Sequence, residues 1–320
     1  MIIQNNLKIS LNIYLRCKVK HYSVLKDELI DSLNIKENGV YVDATVGYAG
    51  DAQEILKRIK RGYLFAFDQD PVAVEFSTNT LKNIGNNFKI FNANFVEMPE
   101  LLKNVGLVDG IIFDLGFSSP QIDDESRGFS FMHDGPLDMR MSSKGKSAKE
   151  IIDTYSIEKL TQVFFQYGEE KMSKVIAKNI IKQKENITTT LELVEVIKKA
   201  VGANYFYKNH PERKIFQALR IEVNDELKVL ETVLPEAIKL LKKGGRLSVI
   251  TFHSLEDRIV KNIFKKYSEV DELLKGEKDI PEEYRPLIKI VNKKPILPSA
   301  KELAENSRSA SAKLRVVERI

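Results

Sequence analysis

Val40-Tyr41-Val42 runs straight into Asp43-Ala44-Thr45-Val46-Gly47-Tyr48-Ala49-Gly50-Asp51, and a helical pattern from Ala52 to Lys60 follows. A short β-branched and aromatic strand, a turn of small residues and a helix in that order form the opening unit of an α/β sheet. Working outward, the unit repeats. Arg61-Gly62 breaks the helix, Tyr63 to Phe67 reads as a second strand ending at Asp68, and Ala73 to Ile84 as a helix. Phe88 to Phe91 gives a third strand, and Gly110 to Phe113 a fourth ending at Asp114. Upstream, Val24 to Leu33 carries apolar residues at helical spacing before an Asn38-Gly39 turn. Apolar strands alternating with helices predict a mostly parallel sheet covered on both faces.

The alternation stops beyond Gly135. Ile157 to Tyr167, Lys171 to Lys184 and Leu191 to Val201 read as amphipathic helices, with Ser156 and Thr190 at N-cap positions. Strand signals return after a helix from Glu226 to Leu241, where Gly244-Gly245 is expected to turn the chain into Leu247 to Thr251. Leu255 to Lys266 is helical, and Leu287 to Val291 with Leu314 to Val317 fit an antiparallel pair at the sheet edge. The expected organisation is a sheet domain of residues 21–134 and 221–320, discontinuous, with an inserted helical domain of residues 135–220. Residues 1–20, with Lys8, Arg16, Lys18 and Lys20 and no acid, are expected to be a flexible basic extension outside the fold.

The chain has 320 residues, 43% hydrophobic and 30% charged, as expected for a globular protein with a real core. A net charge of +5 permits a nucleic-acid partner without demanding one. One cysteine, Cys17, excludes an internal disulfide framework and a cysteine-cluster metal site. The four histidines offer no metal-ligand pair, so no metal is expected. No apolar run is long enough to span a bilayer, which argues against a membrane role and for the cytoplasm.

Ligands of open α/β sheets bind beyond the carboxyl ends of the strands. Three features fall there: the turn from Asp43 to Asp51, Asp68, and Asp114. Small residues in the turn let backbone approach a ligand, and an acid at the second strand end can accept from both ribose hydroxyls of an adenosine. Each has a plainer reading. Gly47 and Gly50 serve equally in a tight turn, Asp68 could cap the helix that Pro71 opens, and Asp114 could be the N-cap of the next segment. Their coincidence at consecutive strand ends favours an adenosine-type cofactor. A nicotinamide dehydrogenase would want Gly-x-Gly-x-x-Gly, which Gly47-Tyr48-Ala49-Gly50 does not supply. His253, ending the fifth strand, reads more readily as a turn histidine bonded to backbone than as a proton acceptor.

Residues 114–141, DLGFSSPQIDDESRGFSFMHDGPLDMRM, resemble the signature of the MraW family of ribosomal RNA small-subunit methyltransferases. HYSVL at His21, FQALRIEVNDEL at Phe216, GGRLSVITFHSLEDRIVK at Gly244 and NSRSASAKLR at Asn306 agree in order. The resemblance implies a class I, Rossmann-like S-adenosylmethionine-dependent methyltransferase fold with a helical insertion. It implies methyl transfer to N4 of a cytidine in the decoding region of 16S ribosomal RNA, within a 30S particle. It carries cofactor contacts onto Ala49, Gly50, Asp51, Asp68, Phe95, Asp114 and Gln121, with Phe95 beside the adenine. Where the family has Gly-Gly-His this chain has Ala49-Gly50-Asp51. The alternative is therefore a catalytically weakened RNA-binding homologue: Ala49 adds a methyl and Asp51 a carboxylate near the methionine end, unless Asp51 caps its helix or meets the cofactor's amino group.

Methyl transfer to an exocyclic amine needs acceptors that draw on its hydrogens. Asp114 and the backbone carbonyls of the turn at Ser118, Ser119 and Pro120 are the catalytic candidates. For RNA, the lysine-rich helix with Lys178 and Lys182, then Arg213, Arg220 and Arg308, are the candidate cations. Oligomeric state stays open, a homodimer included.

Overall fold

The computed structural model describes residues 23–320 except 143, 271–273 and 275. The basic segment 1–20, with Cys17, lies outside the described residues, as does part of the charged stretch between 269 and 283.

The chain opens with α1 (Lys26–Ser32) and then alternates β1 (Val40–Asp43), α2 (Gly50–Arg58), β2 (Tyr63–Asp68), α3 (Pro71–Lys82) and β3 (Phe88–Asn92). A short α4 (Met98–Leu101) leads into β4 (Val108–Asp114) and α5 (Ser119–Asp123). Six helices come next: α6 (Ala148–Thr154), α7 (Ile157–Gln166), α8 (Ser173–Gln183), α9 (Thr190–Val201), α10 (Ala203–Asn209) and α11 (Pro211–Asn224). The sheet is completed by α12 (Glu226–Leu240), β5 (Leu241–Thr251), α13 (Ser254–Ser268), β6 (Ile288–Ile290), α14 (Ala300–Glu305) and β7 (Lys313–Arg319).

The seven strands lie in the order β3-β2-β1-β4-β5-β7-β6. β1 to β5 are parallel, while β7 runs antiparallel between β5 and β6. The late antiparallel pair therefore closes one edge, as its pattern suggests. β1 has β2 on one side and β4 on the other, so strand order reverses between β1 and β4 and a crevice opens at their carboxyl ends.

Period-two alternation explains why these strands read as continuous apolar runs. Val42, Ile111, Phe113 and Val249 point to a layer shared with Leu230, Leu234 and Phe264 of α12 and α13. Tyr41, Ile112 and Ile250 point the other way, against Leu29, Ile55 and Leu56 of α1 and α2. A third apolar cluster, with Phe164, Ile176, Ile180, Leu193, Ile215 and Leu219, holds α6 to α11 together. No helix of the described residues is long and apolar enough to cross a membrane.

Local departures have local causes. Gly244-Gly245 does not start β5: the strand already pairs at Leu241 opposite Val108, and the next pair is Arg246 with Gly110. The intervening residues bulge out, and Gly244 at φ 79° takes the left-handed backbone that this needs. Ser156 caps α7, but α9 is capped by Thr189 and not Thr190, its hydroxyl accepting from Glu192 N while Glu192 reaches back. Thr190 instead bonds the His133 carbonyl.

Candidate active site

The crevice is a cavity of about 400 Å³ lined by the tips of β1, β2, β4 and β5 and by one stripe of α11. Its floor is tied together by backbone. Asp43 Oδ1 accepts from Thr45 N at 3.0 Å, and Thr45 Oγ1 accepts from Asp114 N at 2.7 Å. Gly47, at φ 47°, turns its N–H to Asp68 Oδ2 at 2.9 Å, and Asp70 N donates to Asp68 Oδ1 at 2.9 Å. Each Asp68 oxygen so keeps a lone pair for a hydroxyl in the cleft. Burial pushes Asp68 up to about 6, against those two backbone bonds.

Asp68 is not the helix cap. Asp70 is: its Oδ1 accepts from Val72 N at 3.0 Å, ahead of Pro71 in the first turn. Its Oδ2 accepts from Gln121 Nε2 at 2.9 Å and Arg127 Nη1 at 2.8 Å. Arg127 also donates to the carbonyls of Arg140 and Met141. Gln121, lining the cleft, thus faces Asp70 with its amide nitrogen while its oxygen accepts from Ser118 N at 3.0 Å. Asp70 carried a readable signal, an acid directly before proline at a helix start. Arg127 carried none, because its partners come together only in three dimensions.

Of the first-loop residues, Gly50 and Asp51 line the cleft. A side chain at Gly50 would meet Ser23 Oγ at 2.0 Å, so the serine hydroxyl would have to turn aside to admit one. Ala49 is fully buried in the apolar layer beneath α2, at φ 63°, and does not line the cleft. Phe95, opening a one-turn helix capped by Asn94, lines the cavity edge-on to Phe113 at 5.3 Å between ring centres.

The cleft is rich in unneutralised acid. Asp51 is 7% exposed, and burial pushes it up to about 7 against the pull of the Ser23 hydroxyl and Lys26. Asp114 stands well above the usual carboxylate range through burial and then the charges of Asp51, Asp43 and Glu256. Asp43 is raised by burial and then by the charge of Asp51. Among the described residues that line the cleft, Asp51 Oδ1, Asp114 Oδ1, Ser118 Oγ and His253 Nε2 are buried without a hydrogen-bond partner. Buried acceptors without countercharge fit a ligand that brings donors and positive charge. S-adenosylmethionine, with its ribose hydroxyls, ammonium and sulfonium, suits this chemistry.

At β4 the helix cap is Ser118 and not Asp114. The Ser118 carbonyl accepts from Gln121 N and Ile122 N, and that of Pro120 from Asp124 N. These carbonyls are thus taken up within α5, and Ser118, which lines the cleft, has its hydroxyl buried without a hydrogen-bond partner. His253 caps α13: its Nδ1 accepts from Glu256 N at 3.4 Å and its Nε2 lies 3.2 Å from Glu256 Oε1. The bond at Nδ1 fits a backbone-bonded turn histidine, while Nε2 stays buried in the cleft lining without a hydrogen-bond partner among the described residues. Burial alone would raise Glu256, but its bond to His253 and the charges of His253 and Arg220 hold it below the usual range.

Arg213, Gln217, Arg220 and Asn224 form one cleft-facing stripe of α11. Arg220 is buried, clasped by Glu226 at 2.8 and 3.0 Å and 4.6 Å over the Phe117 ring. Arg213 is exposed at the rim with no ion-pair partner among the described residues. Arg308, also at the rim, pairs with Asp123 at 2.8 Å. Lys178 and Lys182 lie on α8 and do not line the cleft.

The chain matches the MraW methylase family over residues 18–320. Among solved structures, it is 12% identical to a candidate rRNA-methylase from Clostridium thermocellum, covering 93% of this chain and 99% of that one at a TM-score of 0.44. An rRNA methylase from Streptococcus thermophilus is 13% identical, with 92% and 93% covered and a TM-score of 0.38. A Streptococcus mutans protein in complex with SAH is 13% identical, with 92% and 98% covered and a TM-score of 0.40. The chain belongs to the MraW methylase family, and its methyl donor is S-adenosylmethionine.

Proposed function

From that membership we propose that the protein methylates N4 of a cytidine in the decoding region of 16S ribosomal RNA, acting in the cytoplasm on a small-subunit particle. The observation that carries the reading is the unpartnered Asp114 Oδ1, buried at the tip of a central strand in the cleft. Residues 21–134 and 221–320 would form the methyltransferase domain and residues 135–220 the inserted one.

Bound S-adenosylmethionine supplies a methyl group already activated on a sulfonium. The protein's work is alignment and acceptance of protons. Gly50 and Asp51 would hold the methionine end, Asp68 the ribose and Phe95 the adenine, with Gln121 fixed by Asp70 to close that side. Asp114 Oδ1 would accept one N4 hydrogen and so localise the lone pair that the pyrimidine ring otherwise delocalises. Ser118 Oγ is the second polar atom free to meet the base, and Pro120 sets the turn that presents it. Stacked bases are inaccessible, so the target must be unstacked. Arg213 and Arg308 at the rim suit the flanking phosphates and Lys178 and Lys182 a more distant stretch of RNA, while Arg220, held by Glu226 and covering the Phe117 ring, borders the cleft.

The test is methylation of small subunits lacking the modification, read by mass spectrometry of the rRNA digest. One N4-methylcytidine at one site is the expected product. A methyl on another base, or none while donor still binds, would sink this proposal and favour the weakened homologue. Ala49 lends that alternative little support, since its methyl lies in the core.

A further inference from the structure

Asp51 stands where the family pattern has histidine, and two roles were open to it: capping α2, or meeting the cofactor's amino group. It does not cap. Ala49 is the N-cap residue of α2, and no side chain bonds the first-turn amides. The Asp51 side chain instead lines the cleft, is 7% exposed, and keeps Oδ1 without a hydrogen-bond partner among the described residues. Asp114 faces the same space with its own buried, unpartnered Oδ1.

The charged groups acting on this pair come from every side. Asp43 stands at the tip of β1, Glu256 in the first turn of α13, and Glu54 one turn along α2, all of them acids. The counterweights at Asp51 are the Ser23 hydroxyl and Lys26 of α1. Among the described residues nothing else neutralises the pair, so the missing partner is a cation. The only primary ammonium in the donor and its demethylated product is that of the amino-acid end.

Resting on the methyltransferase reading, we propose that Asp51 forms the seat for the α-ammonium of the methyl donor, that seating it expels a proton from the Asp51 carboxyl, and that the neighbouring Asp114 keeps its Oδ1 for the base. Binding is then coupled to pH in a way an imidazole at this position would not give: the ligand's positive charge must find a carboxylate, and without ligand the cleft holds it largely as the acid below neutrality. Burial raising Asp51 to about 7 puts the transition within working range.

The experiment is calorimetric titration of the full chain with S-adenosylhomocysteine and with 5′-methylthioadenosine, which has no amino-acid end, between pH 6 and 8. S-adenosylhomocysteine affinity should rise about tenfold across that range, with proton release seen as a buffer-dependent heat at pH 6. 5′-Methylthioadenosine affinity should stay flat. Asp51→Asn should abolish the slope for the first ligand and leave the second unchanged, which also shows that the variant is folded. A flat wild-type profile for S-adenosylhomocysteine, or a slope that survives in Asp51→Asn, overturns the proposal while leaving the cofactor site standing. If neither ligand binds the wild type, the methyltransferase reading falls and this inference with it.

Discussion

Replacing Asp70 by alanine tests whether the site is held together as its geometry indicates. The carboxylate serves three partners at once: the amide of Val72, the Gln121 amide nitrogen and the Arg127 guanidinium. Losing an N-cap costs about 1 kcal/mol. Leaving a buried amide donor without an acceptor costs about 1–3 kcal/mol more. Breaking a fully buried ion pair would add about 3–5 kcal/mol. That last figure must be discounted, because the Arg127 side chain is 22% exposed and keeps its two carbonyl acceptors. The three effects share one carboxylate and do not add, so the expected loss is about 3–4 kcal/mol. For a chain of 320 residues that corresponds to a thermal midpoint lowered by roughly 4–6 °C, readable by calorimetry. Asp70→Asn separates the contributions. Asparagine caps as well as aspartate, but its amide nitrogen would confront two donors, so it should fall between wild type and alanine. A shift below about 2 °C for alanine, or wild-type behaviour of the asparagine variant, would refute the reasoning.

Asp114→Asn should lower turnover at saturating donor by about a hundredfold, the usual range for a proton-handling group, while S-adenosylhomocysteine affinity changes little. Lost cofactor binding with retained turnover would remove Asp114 from the chemistry. Lys178→Glu with Lys182→Glu should weaken RNA binding and flatten its salt dependence by about 1.4 in log–log slope, at about 0.7 per lost phosphate contact. Filter binding at several salt concentrations reads this, and an equal loss of S-adenosylhomocysteine affinity would count against a separate RNA surface. Stability should also fall as pH rises from about 4 to 7, because folded Asp51 and Asp68 still bind protons that the unfolded chain has released. Below about pH 4 the trend reverses. Burial opposes ionisation of Asp109 and Asp257, but their lysine and arginine partners hold both below the usual range, and that stabilisation is lost on protonation. A thermal midpoint that climbs steadily from pH 5 to 8 would contradict this.

Strand alternation, the strand-end acids and the antiparallel edge pair were legible in the sequence because each rests on local pattern: period-two apolar runs, or an acid closing such a run. What depended on tertiary neighbours was not. Arg220 reads like any other cation in a basic stretch, and only the fold brings Glu226 and Phe117 to it. Ala49 reads as an obstruction in the ligand turn, yet the left-handed backbone rotates its methyl into the core. Lys178 and Lys182 read as one basic series with Arg213 and Arg220, yet α8 places them away from the cleft. Gly244-Gly245 reads as a turn because glycine pairs usually are one, whereas register against β4 makes it a bulge within a strand. The carbonyls of Ser118 and Pro120 read as free because so short a stretch gives no hint that it closes into a helix.

β4 sits at the centre of the finished sheet, but its neighbour β5 is encoded far downstream, beyond all six helices of the excursion. At ribosomal elongation rates of roughly 5–20 residues per second, that delay lasts on the order of ten seconds. Throughout it a strand buried along nearly its whole length in the native state presents an open row of amides and carbonyls to its surroundings. The nascent chain's hazard is thus concentrated at one edge.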